Sequence, residues 1–127
     1  MGSKFPRADH LTNEEVDYEL MIRGKAEDIN SDAETKNRLL RRLFADDVKE
    51  NREYPSRFTI DQEYDRVSSI VDELRRKLNK GKDTDSCLSR LKHYALRVAR
   101  SMATDHDSER MRRELGSEIR EVLNAFN

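Results

Sequence analysis

The sequence predicts an all-α protein, and three observations support that fold class. Thr12 is followed by Glu15, and Thr59 by Gln62, at the spacing of a capping box, in which each side chain bonds the other residue's backbone amide at a helix start. Apolar residues recur at intervals of three and four, as they do on one face of an α-helix. No segment has the pattern of a strand.

The first two predicted helices form a pair over residues 11–49. The first begins at the Thr12 cap, and Gly24 is expected to end it in the left-handed conformation. The second is predicted to begin at Ser31, with Glu34 completing a capping box, and to fade near the end of the pair. Its expected apolar stripe comprises Ala33, Leu39, Leu40, Leu43, Phe44 and Val48.

Three further helices are predicted in residues 59–127. Residues 1–10 are expected to be a flexible lead-in, and residues 50–58 a linker, because Pro55 lacks an amide donor and holds the preceding residue extended. The three helices carry apolar seams at heptad-like spacing. They either close as a three-helix bundle within one chain or leave a helical hairpin that dimerises. The seam residues, predicted to form the bundle core or an interface, are Ile60, Tyr64, Val67, Val71, Leu74, Leu78, Leu88, Leu91, Val98, Met102, Met111, Leu115, Ile119, Val122 and Phe126.

The composition bounds the class of protein. Of the 127 residues, 35% are hydrophobic and 40% are charged, so a core completed against a second chain is expected, as a homodimer or a higher homo-oligomer. The net charge of −1 excludes a generic polyanion binder. Cys87 is the single cysteine, which favours an intracellular setting, with nucleus and cytoplasm left open. No apolar run is long enough to predict a membrane span.

No pattern of catalytic or metal-binding residues stands out. Asp105, His106 and Asp107 are adjacent, but their place before a predicted helix favours capping over a metal site. Cys87 and His93 are six residues apart, which is not a usual ligand spacing. Phosphate loops, zinc-protease motifs and nucleophile elbows do not occur in the sequence. We therefore expect no enzyme activity, no metal, no cofactor and no small-molecule substrate.

The charges divide into two regions of opposite sign. Residues 11–47 hold six basic and ten acidic side chains, a net −4, so the acids are expected to line an outer, solvated face or to pack against protein rather than approach DNA. Residues 75–100 hold nine basic and two acidic side chains, a net +7. They predict a surface for RNA, DNA or an acidic protein, or otherwise a solvated helix end. The basic residues are Arg75, Arg76, Lys77, Lys80, Lys82, Arg90, Lys92, Arg97 and Arg100.

Two family resemblances cover the first part of the chain. The helix-loop-helix pattern resembles a SAP motif, with a longer loop and without the Gly-Lys pair ahead of the second helix. The matching positions are Leu11, Val16, Leu20, Arg23, Gly24 and Leu39 to Leu43. A closer resemblance is to the N-terminal region of arthropod retrotransposon Gag polyproteins and their domesticated descendants. Its pattern is matched by Leu11, Thr12, Glu15, Tyr18, Glu19, Leu20, Arg23 and Gly24.

The Gag resemblance implies a non-enzymatic scaffold region that interacts with proteins and associates with itself. The alternative is a nucleic-acid-binding or chromatin-associated adaptor that uses the basic residues 75–100. Both interpretations share an all-α fold with a SAP-like helical pair followed by a helical hairpin or three-helix bundle.

Overall fold

The computed structural model describes residues 5–126, which fold into seven helical elements. Two short 3₁₀ helices span Ala8–His10 and Ala26–Asn30. The α-helices are α1 (Asn13–Ile22), α2 (Ala33–Glu50), α3 (Ile60–Asn79), α4 (Thr84–Arg100) and α5 (His106–Phe126). The all-α prediction is confirmed. The described residues contain no strand, only a single bridge between Thr59 and Met102.

Two of the three predicted capping boxes are confirmed. The Thr12 amide donates to Glu15 at 2.9 Å and the Glu15 amide to Thr12 Oγ1 at 3.3 Å. The same reciprocal pair joins Thr59 and Gln62 at the start of α3. The third prediction was wrong, since Asp32 rather than Ser31 caps α2 and accepts from the Thr35 amide at 2.7 Å.

Ser31 cannot cap α2 because it ends the preceding 3₁₀ helix. Its amide donates to the carbonyl of Asp28 at 3.0 Å, so the chain turns into α2 one residue later than the pattern indicates. The predicted terminator Gly24 is confirmed at φ +75°, and Gly81, which follows α3, has the same conformation at φ +69°. Glycine adopts this left-handed conformation without the strain that a Cβ would add.

α3, α4 and α5 pack against one another as a three-helix bundle within one chain. Most seam residues form its core, each at most 7% exposed: Ile60, Val67, Val71, Leu74, Leu78, Leu91, Val98, Leu115, Ile119 and Val122. Tyr64, Leu88 and Met111 pack at the edge of this core. Two seam residues lie outside it: Met102 is 46% exposed and Phe126 is 37% exposed.

Met102 is exposed because of the backbone conformation at this position. α4 ends at Arg100, and the chain beyond it pairs with the start of α3 through Ile60 N to Met102 O at 2.8 Å and Met102 N to Phe58 O at 3.0 Å. The extended backbone turns the Met102 side chain outward. Phe126 is exposed in the last turn of α5, beyond the end of the core.

A second apolar cluster lies between α1 and α2, which form the helical pair, and the N-terminal 3₁₀ helix packs against it. Leu20 and Leu40 are fully buried at its centre. Part of the predicted lead-in belongs to it: Ala8 is 1% exposed, and the Phe5 ring stacks on Phe44 at 5.7 Å. Residues 1–4 of the lead-in lie outside the described residues, as does residue 127.

The apolar stripe predicted for α2 was wrong at two positions. Val48 is 59% exposed, and Ala33 in the first turn is exposed as well. The neighbouring Asp47 takes the inward position in place of Val48 and is 1% exposed. The inward face of this helix is therefore partly polar, for a reason that becomes clear from its contacts.

Candidate functional site

α1 lies against α4, and the surface between them is ionic rather than apolar. Glu15 and Glu19 of α1 are both fully buried at 0% exposure. Of the two alternatives expected for these acids, the solvated face is wrong for both, and they pack against protein within the same chain. Arg90 and His93 of α4 face Glu15 and Glu19 respectively. Arg97, one helical turn further along α4, faces Glu14 of α1. The helical pair thus meets the bundle through paired charges.

Glu15 is the first of two buried carboxylates in this interface, and it accepts hydrogen bonds from three residues. Its carboxylate accepts from Arg90 Nε at 3.0 Å and from the Tyr94 hydroxyl at 2.7 Å, besides the Thr12 amide of the capping box. Burial alone would raise the pKa of Glu15. The hydrogen bonds from Arg90, Thr12 and Tyr94 outweigh burial and lower it, so the side chain is ionised.

Glu19, one turn further along, is the second of these carboxylates. His93 Nδ1 donates to Glu19 Oε2 at 2.6 Å, Arg23 Nη1 to Oε1 at 2.8 Å, and Arg100 Nη1 to Oε1 at 3.3 Å. Burial opposes ionisation, but the His93 hydrogen bond and the charges of Arg100 and Arg23 lower the pKa of Glu19 from 4.5 to about 2. This carboxylate therefore joins α1 to α4 at any pH near neutrality.

Arg23 extends the network from α1 to α2. Its Nε and Nη2 both donate to Asp47 Oδ2, at 2.9 and 2.7 Å, which explains why α2 turns an aspartate inward. The guanidinium lies between two rings, 5.0 Å from the centroid of Phe44 and 4.7 Å from that of Tyr54. The Tyr54 hydroxyl in turn donates to Asp47 Oδ1 at 2.7 Å.

Arg97 ties α4 to α3 and to α1 at once. Its Nε and Nη2 donate to the two carboxylate oxygens of Glu63 at 2.8 and 3.1 Å, a bidentate pair. Its Nη1 lies 3.1 Å from Glu14, and its guanidinium stands 4.1 Å from the centre of the Tyr18 ring. Arg97 is only 3% exposed, so this charge is available to no outside ligand.

These side chains lie next to one another and are here called the ionic cluster; Tyr94 contacts both Glu15 and His93, and Arg97 Nη1 lies 3.4 Å from His93 Nε2. The members of the cluster are Glu15, Glu19, Arg23, Asp47, Glu63, Arg90, His93, Arg97 and Arg100. Removal of such charges from water costs free energy, so a cluster of this kind adds little net stability. Its main effect is to select one arrangement of the helices. It allows only one register of α1 on α4, because a shifted helix would leave buried charges without partners.

An open groove of about 520 Å³ lies beside the ionic cluster, between Phe5 and the segment 52–55 on one side and the outer face of α4 on the other. We call it the α4 groove. It is lined by Phe5, Arg52, Glu53, Tyr54, Pro55, Leu96, Ala99 and Arg100. Its walls are thus aromatic on one side and aliphatic on the other, with two arginines and one glutamate among them.

The structure divides the basic residues of 75–100 into three groups. Arg90, Arg97 and Arg100 belong to the ionic cluster, contrary to the predicted common patch. Arg75 pairs with Glu118, and Lys77 lies 3.8 Å from Glu73. The last group has no acidic partner among residues 5–126 and consists of Arg76, Lys80, Lys82 and Lys92.

The remaining candidate residues have structural roles. Asp105 caps α5 and accepts from the Ser108 amide at 2.8 Å, which agrees with the capping interpretation. Cys87 is 2% exposed, and burial raises the pKa of its thiol, so it is a weak nucleophile. Within residues 5–126, no group of three or more His, Cys, Asp or Glu side chains is placed to hold a metal ion.

The ionic cluster was not predicted from the sequence, although the sequence contains a pattern that indicates it. Glu15 and Glu19 are four residues apart, and Arg90, His93 and Arg97 follow at intervals of three and four. Each set therefore forms a stripe on one helix face, as apolar seams do. Because the stripe on α1 is acidic and the stripe on α4 is basic, this pattern could have predicted that the two helices pack together.

No protein-family model, curated protein or solved structure matches the chain. The resemblances to SAP motifs and Gag polyproteins thus depend on the motif residues alone. Four of those residues, Glu15, Tyr18, Glu19 and Arg23, are among the buried polar or aromatic side chains that α1 contributes to its contacts with the rest of the fold. None of the described helices has the length and apolar character needed to cross a membrane.

Proposed function

We propose that this chain is a non-enzymatic scaffold module that associates with copies of itself, which is the role that the resemblance to Gag implies. The observation that carries the proposal is a separation of exposed charge between the two ends of α3. The ionic cluster supports it, because that cluster uses the buried titratable groups for internal packing and holds the helical pair fixed on the bundle.

The acidic end is formed by residues 27–34, which include four carboxylates and no basic residue. Within this segment, Ile29 lines the same 340 Å³ cavity as Gln62 and Arg66 in the first two turns of α3. The basic end follows the last turn of α3, where Lys80 and Lys82 are exposed. α3 has 20 residues and is therefore about 30 Å long, so the two ends are well apart.

Opposite charges at opposite ends favour head-to-tail contact between copies. Such a contact uses two different surfaces, so it can continue from copy to copy rather than stop at a dimer. Most residues of the apolar seams are unavailable for this purpose, because they are buried in the bundle of the same chain. Self-association would then be electrostatic and would weaken as salt screens the charges.

Light scattering over a tenfold concentration range tests this proposal. In about 0.1 M salt we expect a mass that rises with concentration to at least twice the 15.0 kDa of one chain, and in about 1 M salt, where charges are screened beyond about 3 Å, a mass near one chain. Lys80→Glu with Lys82→Glu should abolish the increase. The matched control is Arg42→Glu with Lys49→Glu, which changes the charge equally on α2. A mass of one chain at every concentration in the lower salt would refute the proposal.

A second candidate function is nucleic-acid binding at the same basic end. The specific observation is that Arg76, Lys80, Lys82 and Lys92 have no acidic partner among the described residues. Binding of a labelled single-stranded RNA should then fall steeply with salt, since each phosphate contact releases counterions. The Lys80→Glu/Lys82→Glu variant should lose most of it. RNA binding by a chain that stays monomeric would favour this candidate over the scaffold.

A further inference from the structure

The α4 groove has preformed walls. Tyr54 is held by its hydrogen bond to Asp47 and by the Arg23 guanidinium, which stacks in turn on Phe44. Phe5 also stacks on Phe44, so both aromatic residues of the groove are linked through Phe44 and Arg23. A site whose side chains are already fixed loses little conformational entropy when a ligand binds.

The groove also contains an arginine with donors to spare. The Arg100 side chain is 11% exposed and donates only from Nη1, to Glu19 at 3.3 Å. Its Nε and Nη2 donate to no other residue among 5–126. Arg52, whose side chain is 55% exposed and pairs on one side with the exposed Glu50, adds a second guanidinium to the same groove. A planar guanidinium with free N–H groups in a partly desolvated position matches a carboxylate.

The floor between these groups is apolar. Leu96 and Ala99 come from the outer face of α4, and the exposed Ala99 methyl leaves the groove open above it. The volume of about 520 Å³ accommodates one or two apolar side chains. Because the groove is open rather than enclosed, a polypeptide can pass through it and continue on both sides.

We propose that the α4 groove binds a short peptide segment of a partner protein that places an internal Asp or Glu on Arg100 and Arg52 and an adjacent apolar side chain on Leu96 and Ala99. The charge complementarity with two guanidinium groups selects the acidic residue, and the aromatic and aliphatic walls select its apolar neighbour. This interaction surface goes beyond self-association, which uses the two ends of α3.

The test begins with selection from a library of random 12-residue peptides displayed on phage, with the whole chain as bait. We expect enrichment of sequences with Asp or Glu next to a large apolar residue. A synthetic peptide from that set, capped at both ends, is then titrated by fluorescence anisotropy. Ala99→Trp, which fills the groove, and Arg52→Glu should each weaken binding about tenfold or more, as should Asp→Asn or Glu→Gln in the peptide.

The matched control is Ala45→Trp, which adds the same side chain at an exposed position of α2 and should leave the affinity unchanged. Three results would overturn the inference: no enrichment, enriched peptides without an acidic residue, or equal affinity for the Ala99→Trp variant. Displacement of the peptide by single-stranded RNA at equal affinity would also overturn it in favour of a nucleic-acid site. Failure here leaves the light-scattering result untouched, and a monomer that binds the peptide refutes self-association alone.

Discussion

Glu19 is the residue through which two parts of the molecule are joined by three side chains. Its carboxylate accepts hydrogen bonds from His93 and Arg100 of the α4 region and from Arg23 of its own helical pair. These contacts are largely shielded from water, since Glu19 and His93 are 0% exposed and the Arg100 side chain is 11% exposed. The loss of this single negative charge would therefore leave several buried donors without an acceptor.

Glu19→Gln tests the importance of that charge. Removal of one partner from a buried ionic network costs about 3–5 kcal/mol, because the remaining charges stay desolvated without compensation. We expect the free energy of unfolding, measured in urea, to fall by that amount. Glu121→Gln is the control, since Glu121 is exposed on α5 and should change the stability by less than about 0.5 kcal/mol. A loss for Glu19→Gln as small as that of the control would contradict this account.

Stability should also depend on pH through Glu19. The folded pKa of about 2 lies below the ordinary value of 4.5, so the unfolded chain binds a proton more readily. The contribution of Glu19 is therefore complete above pH 4.5 and is lost as the pH falls towards 2. The shift corresponds to about 3 kcal/mol. Urea unfolding between neutral and acidic pH should show this loss in the native chain and a shallower one in Glu19→Gln; identical slopes would contradict it.

At the scale of single residues, the sequence could predict local roles but not remote ones. Thr12 and Glu15 are recognisable as a capping box because the motif spans four neighbouring positions. The second role of Glu15, as acceptor for Arg90 and Tyr94, joins residues 75 and 79 positions apart. No local pattern distinguishes a glutamate that faces solvent from one that meets an arginine of a distant helix, so this role required the fold.

The same distinction appears at the scale of helices in α4. Its apolar face, with Leu91 and Val98, follows from the heptad-like spacing and packs in the bundle core as such a seam should. Its second face, with the buried His93 and Arg97 and the partly buried Arg90, has the same periodicity but consists of polar residues. Hydrophobic periodicity therefore identifies the contacts of α4 with α3 and α5, while its contact with α1 depends on charge pairing between two helices.

Leu74→Asp distinguishes a core seam from an interface seam. Leu74 is 0% exposed in the bundle of a single chain, so an aspartate there would be a buried, unpaired charge. We expect a loss of about 4 kcal/mol or more and a marked fall in helical signal by far-ultraviolet circular dichroism. Ser69→Asp on the exposed face of α3 is the control and should retain the signal. A dimeric hairpin predicts instead that Leu74→Asp dissociates the dimer and remains helical.

At the scale of the whole molecule, the ionic cluster links the helical pair to the bundle across the predicted linker. Residues 51–58 form no helix, as expected, but α1 and α4 meet directly through Glu15, Glu19 and their partners. Neither part can move away without exposing one half of a charge network and its neighbouring apolar surface. Composition and Pro55 mark the boundary along the chain, but they carry no information on whether the two sides touch.

We therefore expect the helical pair and the bundle to unfold as one unit. Native-state hydrogen exchange in low concentrations of urea should give slow amides of α1 and of α5 the same opening free energy within about 1 kcal/mol. In Glu19→Gln the α1 amides should open more readily than those of α5, because the cluster that couples them is broken. Glu121→Gln should behave like the native chain. A native chain whose α1 opens several kcal/mol below α5 would show two independent units and would place the ionic cluster among contacts that orient the helices without coupling their stability.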